Sequence, residues 1–252
     1  MQAGFGVSNI TPRIGVELYG FGPFLYRQSK VIRDDLEARS VVLECNREYA
    51  AIITCDLCEL SEDTVAQIRQ LIQEKIPQLS ADRVMVHCSH THSGPATTPE
   101  NRGWGVPDPV YLASLPWKIA RSVFLAFENL SPVTVSSALA PCEHIGLNRV
   151  YDEDAPPLQD VLREDWRPAH PELTDTACRV IRFDRTDGRL AGFMAYFGCH
   201  PVVCSETSHY IHGDYPAIAI HNLMRQFPGS VGLFLLGAAG DVNSCVVHKP
   251  EA

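Results

Sequence analysis

The strongest constraint on the fold is a strand–helix–strand spacing in the first third of the chain. Residues 49–56 alternate as a strand, and Ser61 then stands as an N-cap with Glu62 and Asp63 in the first turn, where a helix dipole favours acids. Val65, Ile68, Leu71, Ile72 and Ile76 keep helical spacing as far as Pro77. A second apolar run, Val84-Met85-Val86, leads into His87-Cys88-Ser89-His90-Thr91-His92-Ser93-Gly94-Pro95. Two strands joined by one helix predict a parallel crossover, and open α/β sheets place ligands at the carboxyl ends of such strands. In an extended chain residues two apart point the same way, so His90 and His92 are expected to share one face. On a helix the same spacing would splay them roughly 200° apart.

The rest of the chain keeps this alternation. Residues 3–22, rich in glycine and turns, read as an edge segment and a loop. Residues 40–45 and 49–56 read as a hairpin about Asn46-Arg47-Glu48. A polar loop over 96–109 is suited to lie over a site. A helix is expected over 109–130, with Pro116 kinking it or splitting off its first turn. Residues 133–139 form a further strand, and 141–171 lose periodicity in a long acidic, proline-bearing excursion. A second hairpin, 178–184 with 190–203, turns at Thr186-Asp187-Gly188. A helix begins at Pro216 with Asp214 as N-cap, and Val231–Leu236 is a buried strand. The fold class expected is α/β, with a mixed β-sheet layered with helices, and residues 1–252 are read as a single domain.

Charge and length exclude several partners. The net charge is -9 with no lysine or arginine cluster, which argues against nucleic acid. No apolar run reaches the roughly 18 residues of a membrane span. The N-terminus lacks a basic segment followed by an apolar one, so a cytoplasmic location is expected if Met1 is native, and secretion if the chain was trimmed. Nine scattered cysteines suit reduced thiols that pack as small hydrophobes. Cys55-Asp56-Leu57-Cys58 fits a CxxC spacing, but no second ligand pair accompanies it.

Three histidines fall at or just after strand ends: His90, His92 and His200. A catalytic zinc takes three protein ligands and keeps one position for water, so two ligands from one strand end and one from another would build such a site. His209 and His212 read as residues of a solvated loop. His87, His144, His170, His221 and His248 have no partner spacing and read as structural or surface groups. The Gly-rich segment 237–243 lacks the spacings of nucleotide loops and reads as close backbone approach to a site, presenting Asp241 or Asn243. No GxSxG elbow occurs, which sets a classical serine hydrolase aside.

Taken in order, these segments resemble the N-terminal catalytic domain of the neutral/alkaline non-lysosomal ceramidases. The resemblance runs through Asn9-Ile10-Thr11-Pro12, Asp34-Asp35-Leu36-Glu37-Ala38-Arg39, the strand ending in Asp56, and Ser89-His90-Thr91-His92-Ser93-Gly94-Pro95. It continues through Leu147-Asn148-Arg149, Cys199-His200-Pro201, Gly213-Asp214-Tyr215-Pro216 and Gly240-Asp241-Val242-Asn243. It implies a zinc-dependent amidohydrolase cutting an N-acyl bond in a small-molecule or lipid-like amide of sphingolipid metabolism. His90 and His200 would match zinc ligands, His92 an acid/base histidine beside the metal, and Arg149 a substrate or oxyanion contact.

Two departures bear on the substrate. Asn243 stands where the family has a serine, and asparagine donates and accepts hydrogen bonds but is no nucleophile. The family's glutamate and tyrosine ligands lie well downstream, so the chain reads as the N-terminal portion of such a domain, or as a relative completing its metal sphere with His92 or Asp56. Two other readings stay open: a metallohydrolase for a different small ester, amide or acylated sugar, and a non-catalytic metal- or ligand-binding remnant.

Overall fold

The computed structural model describes residues 1–22, 26–99, 102–151 and 157–246, so the reading of His248 and part of the 141–171 excursion lie outside the described residues. The expected hairpin forms from β3 (Glu37–Cys45) and β4 (Glu48–Cys55), following β1 (Gln2–Asn9) and the two-residue β2 (Val31–Ile32). From β4 the chain crosses through α1 (Glu62–Lys75) to β5 (Val84–Cys88), which pairs parallel with β4. Ser61 caps α1 as expected, accepting from the Thr64 amide at 3.2 Å.

After α2 (Pro109–Glu128) come β6 (Ser131–Pro141), β7 (Gly146–Asn148), α3 (Leu158–Val161) and β8 (Ala177–Arg185). Then β9 (Leu190–Phe197), β10 (Tyr210–Ile211), α4 (Asp214–Gln226), β11 (Val231–Leu236) and β12 (Val242–Ser244) complete the described chain. A second parallel crossover, β9–α4–β11, mirrors the first.

Eight strands join in the order β11-β9-β8-β6-β1-β3-β4-β5, with the two parallel pairs at opposite edges. The sheet folds over at its middle, where β1 and β6 share only two residue pairs. Phe5 and Val41 from one half thereby meet Phe183, Met194 and Leu233 from the other in one buried cluster. Neighbouring residues point to opposite faces, so Val42 turns instead to Ile68, Ile72, Leu115 and Ile119 of α1 and α2. On the far side Phe193, Phe197 and Phe234 pack with Ile220 of α4. The result is helix, sheet, sheet, helix in four layers, an α/β fold with a mixed sheet. Among the described residues no helix is long and apolar enough to cross a membrane.

Several local expectations change. β1 is an interior strand, not an edge, since it lies between β6 and β3, and Gly4 and Gly6 let α2 settle on its backbone. A Cβ at Gly4 would lie 2.0 Å from the Ala126 carbonyl oxygen, and one at Gly6 2.2 Å from that of Ser122. Helix α2 runs through the buried Pro116 as a single element, capped by Asp108 on the Val110 and Tyr111 amides. The strand expected over 190–203 stops at Phe197, level with the last residue of its partner β11, and Gly198 then turns close to Ala238. Asp214 is the first residue of α4 rather than its cap; Gly213 takes that place, and Asp214 has φ +56°.

Candidate active site

The carboxyl ends of β5 and β9, on opposite halves of the folded sheet, open into one cavity of about 380 Å³. His90, His92, Arg149, His200 and Asn243 all line it. The three imidazoles form a near-equilateral triangle, with ring centroids 5.0 Å apart for His90 and His92, 4.7 Å for His90 and His200, and 4.9 Å for His92 and His200.

Strand alternation is not what joins His90 to His92. β5 ends at Cys88, and His90 is left-handed at φ +67°. The Ser89 and His90 amides donate to the Cys55 and Leu57 carbonyls, both at 2.9 Å, and these bonds hold the turn in place. On the other side, His200 donates its amide to Val242 and bridges to Asn243. β12 pairs with β7, and the Arg149 amide donates to Asp241 at 2.8 Å. The 141–171 excursion thus returns to the Gly-rich loop and brings Arg149 to the cavity.

The outer nitrogens of two histidines meet backbone carbonyls: His90 Nδ1 lies 3.0 Å from the Cys58 oxygen, and His200 Nδ1 lies 3.1 Å from that of Ala239. A carbonyl only accepts, so each Nδ1 carries a proton, and in a neutral ring the lone pair is then on Nε2. His200 Nε2 is 3.1 Å from His92 Nε2. His92 Nδ1 is buried and has no hydrogen-bond partner among the described residues. Burial and the neighbouring imidazoles push the pKa of His92 down to about 2; burial and His90 push that of His200 down to about 4. Neutral imidazoles with Nδ1 on a carbonyl are the form in which histidine binds a metal. The Cys58 thiol lies 3.3 Å from His90 Nδ1, and Cys58, His90 and His92 offer ligand atoms within 4.8 Å of one another. Nitrogen and sulfur donors of this kind suit zinc.

His92 is held from behind. The buried Arg27 donates to its carbonyl oxygen at 2.6 Å and to that of Tyr19 at 2.9 Å, and Phe21 meets its ring edge-on at 4.8 Å.

Some candidates take other places. Asp56 accepts from Arg39 at both oxygens, at 3.0 and 2.9 Å, and from the Glu37 amide at 3.0 Å, and it does not line the cavity. His212 is buried, not solvated, because the 209–212 segment is tied to Ser93 and Thr91 by the His212 amide and carbonyl. It forms a second group with Cys204 and Asp214 in a separate cavity of about 500 Å³. There His212 Nδ1 accepts the Asp214 amide at 3.0 Å, which leaves the neutral ring's proton on Nε2, the reverse of His90 and His200. The cysteines at 55 and 58 are both buried free thiols.

The cavity also holds groups that local pattern did not single out: Tyr19, Glu59 and Trp104. The polar 96–109 loop does reach the site, through Trp104. Glu59 directly follows the CxxC spacing at the end of β4, one strand over from the histidines, and that adjacency was its only signal.

In fold, the chain superposes on the crystal structure of neutral ceramidase from Pseudomonas aeruginosa with a TM-score of 0.83 and 20% identity, covering 96% of this chain and 39% of that one. A structure described as ceramidase complexed with C2 gives 0.83 and 21%, over 96% and 38%. In sequence it is 24% identical over 266 residues to Neutral ceramidase A of Dictyostelium discoideum, covering 96% of this chain and 35% of the relative. The chain thus spans little more than a third of the length of these relatives. Residues 1–232 match the description of the N-terminal domain of the neutral/alkaline non-lysosomal ceramidases, and the chain belongs to that family.

Proposed function

We propose that the cavity is the site of a zinc-dependent hydrolase acting on an N-acyl bond. The observation that carries this reading is the pair of histidines, His90 and His200, whose outer nitrogens sit on backbone carbonyls while their Nε2 lone pairs remain for the cavity. These two residues would hold the metal, with the Cys58 thiol as a further donor close by. A zinc ion supplies a polarised carbonyl and a bound water whose pKa falls to about 7.

The protein's own groups account for the remaining work. Breaking an amide requires a proton for the departing amine, and the neutral His92 imidazole, oriented by Arg27, Phe21 and Gly20, is placed to relay it from a water. Arg149 is the cation beside the cavity for the charge that develops on the carbonyl oxygen. Asn243 accepts from or donates to the amide without taking part in covalent catalysis. Ceramide is the substrate suggested by the names of the relatives.

The test is elemental analysis of the purified protein and of His90→Ala and His200→Ala, alongside amine release from a short-chain ceramide. About one zinc per chain, lost in both variants together with turnover, supports the proposal. A folded protein that takes up no zinc when it is supplied, or whose variants keep it, overturns it.

A further inference from the structure

The acceptors in this cavity outnumber what an amide requires. Glu59 is fixed from three sides: Tyr19 donates its hydroxyl to Oε1, Thr98 donates to the same oxygen at 2.5 Å, and Thr97 donates to the Glu59 carbonyl oxygen at 2.5 Å. Both side-chain hydroxyls converge on Oε1, and among the described residues Oε2 carries no hydrogen bond. Across the cavity Asn243 is buried, and its Oδ1 likewise lacks a partner among the described residues. A buried acceptor without a donor, such as Asn243 Oδ1, is costly, so a ligand that brings donors is favoured over one that does not. The rim is aromatic: the Trp104 ring lies 6.3 Å from that of Tyr19, tilted by 32°, and is partly exposed at the mouth. Flat aromatic faces suit the carbon skeleton of a compact ring, while a carboxylate and an amide oxygen suit its hydroxyls.

We propose that Glu59, held by Tyr19 and Thr98, acts with Asn243 Oδ1 as an acceptor pair that selects a hydroxyl-bearing N-acyl amine of the amino-sugar kind. This rests on reading the cavity as an acyl-hydrolase site and names the class of substrate for it. The hydroxyls donate to Glu59, the ring lies against Trp104 and Tyr19, and the acyl nitrogen is directed to the histidines. Sites built to hydrogen-bond a hydroxyl reject analogues that lack it far more strongly than apolar pockets reject a change of size.

The test uses a matched pair with the same N-acetyl group and ring size: N-acetylglucosamine and N-cyclohexylacetamide. Binding to the zinc-supplied protein is measured by NMR titration, and amine release is measured on the same samples. The wild type is expected to bind N-acetylglucosamine at least about tenfold more tightly. Glu59→Gln, nearly the same in shape, should reduce that preference by about tenfold or more, and Tyr19→Phe, which keeps the carboxylate but loosens it, by less. Unfolding curves establish that both variants are folded. No preference in the wild type, no binding of the sugar, or an equal preference in Glu59→Gln overturns the proposal. If the preference exists and depends on Glu59 while neither compound releases amine, selection of the polyol stands and the hydrolase reading falls. If both compounds are cleaved equally well, the reverse holds.

Discussion

Gly20 has φ +117°, and a Cβ built there would lie 2.5 Å from Cγ of the His92 imidazole. Gly20→Ala therefore adds a strained backbone to a ring displaced from its place. We expect a loss of about 1–3 kcal/mol in denaturant unfolding and a fall in turnover beyond that explained by the unfolded fraction. A second prediction at this scale concerns protons. His92 and His200 are held neutral in the fold, with pKa values near 2 and 4, whereas in the unfolded chain they titrate near 6.5. As pH falls through 6.5 the unfolded state takes up protons that the folded state refuses, so stability is fully present above that pH and declines below it. For His92, which is buried in the fold, the slope is about 1.4 kcal/mol per pH unit. Unfolding curves of metal-free protein at pH 7.5, 6.5 and 5.5 should show the decline, and His92→Gln should flatten it. A flat profile in the wild type would mean that the pair is charged in the fold.

Among the elements, those with a self-contained pattern were legible. The apolar spacing of α1 and its Ser61 cap, the apolar stripe of α2 through Tyr111, Leu115, Ile119 and Val123, and the hairpin of β3 and β4 all follow from period and cap chemistry within a dozen residues. β1 was not legible as an interior strand. Its glycines lower strand propensity, and their purpose is set by α2, more than a hundred residues later. Gly6→Val should cost at least about 2 kcal/mol in unfolding free energy, because the added atoms meet the α2 backbone and not a side chain that can move aside. Ser61→Ala should cost about 1 kcal/mol by the loss of one cap bond. The ranking of the two, read from denaturant midpoints, distinguishes close packing from capping as the dominant local term.

In the whole molecule, polar contacts among the described residues also tie the two half-sheets together. His87 on β5 accepts the Leu236 amide of β11 at 2.8 Å, so a histidine without partner spacing in sequence ties one half to the other. Arg39, 1% exposed, binds Asp56 and Glu37, and His221 of α4 lies 2.9 Å from its Nη2 and 3.2 Å from Glu37. Burial raises the Asp56 carboxyl and would raise that of Glu37, but His221 and Arg39 hold Glu37 below its ordinary value. Arg39→Met leaves two carboxylates without their cation and should cost about 3–5 kcal/mol. The stretches that specify strands, helices and their caps are short, and a one-dimensional pattern suffices for them. That is why the α/β class, the first crossover and the three histidines were readable in the sequence. The meeting of His92 with His200, 108 residues apart, was expected from their strand-end positions, but the geometry of the triad was not readable from local pattern. Nor were the placement of Glu59 and Tyr19 in the same cavity or the removal of Asp56 to an ion pair. Each depends on a sheet folded across its own middle, and side-chain periodicity carries no information about which strand ends will face each other once that fold is made.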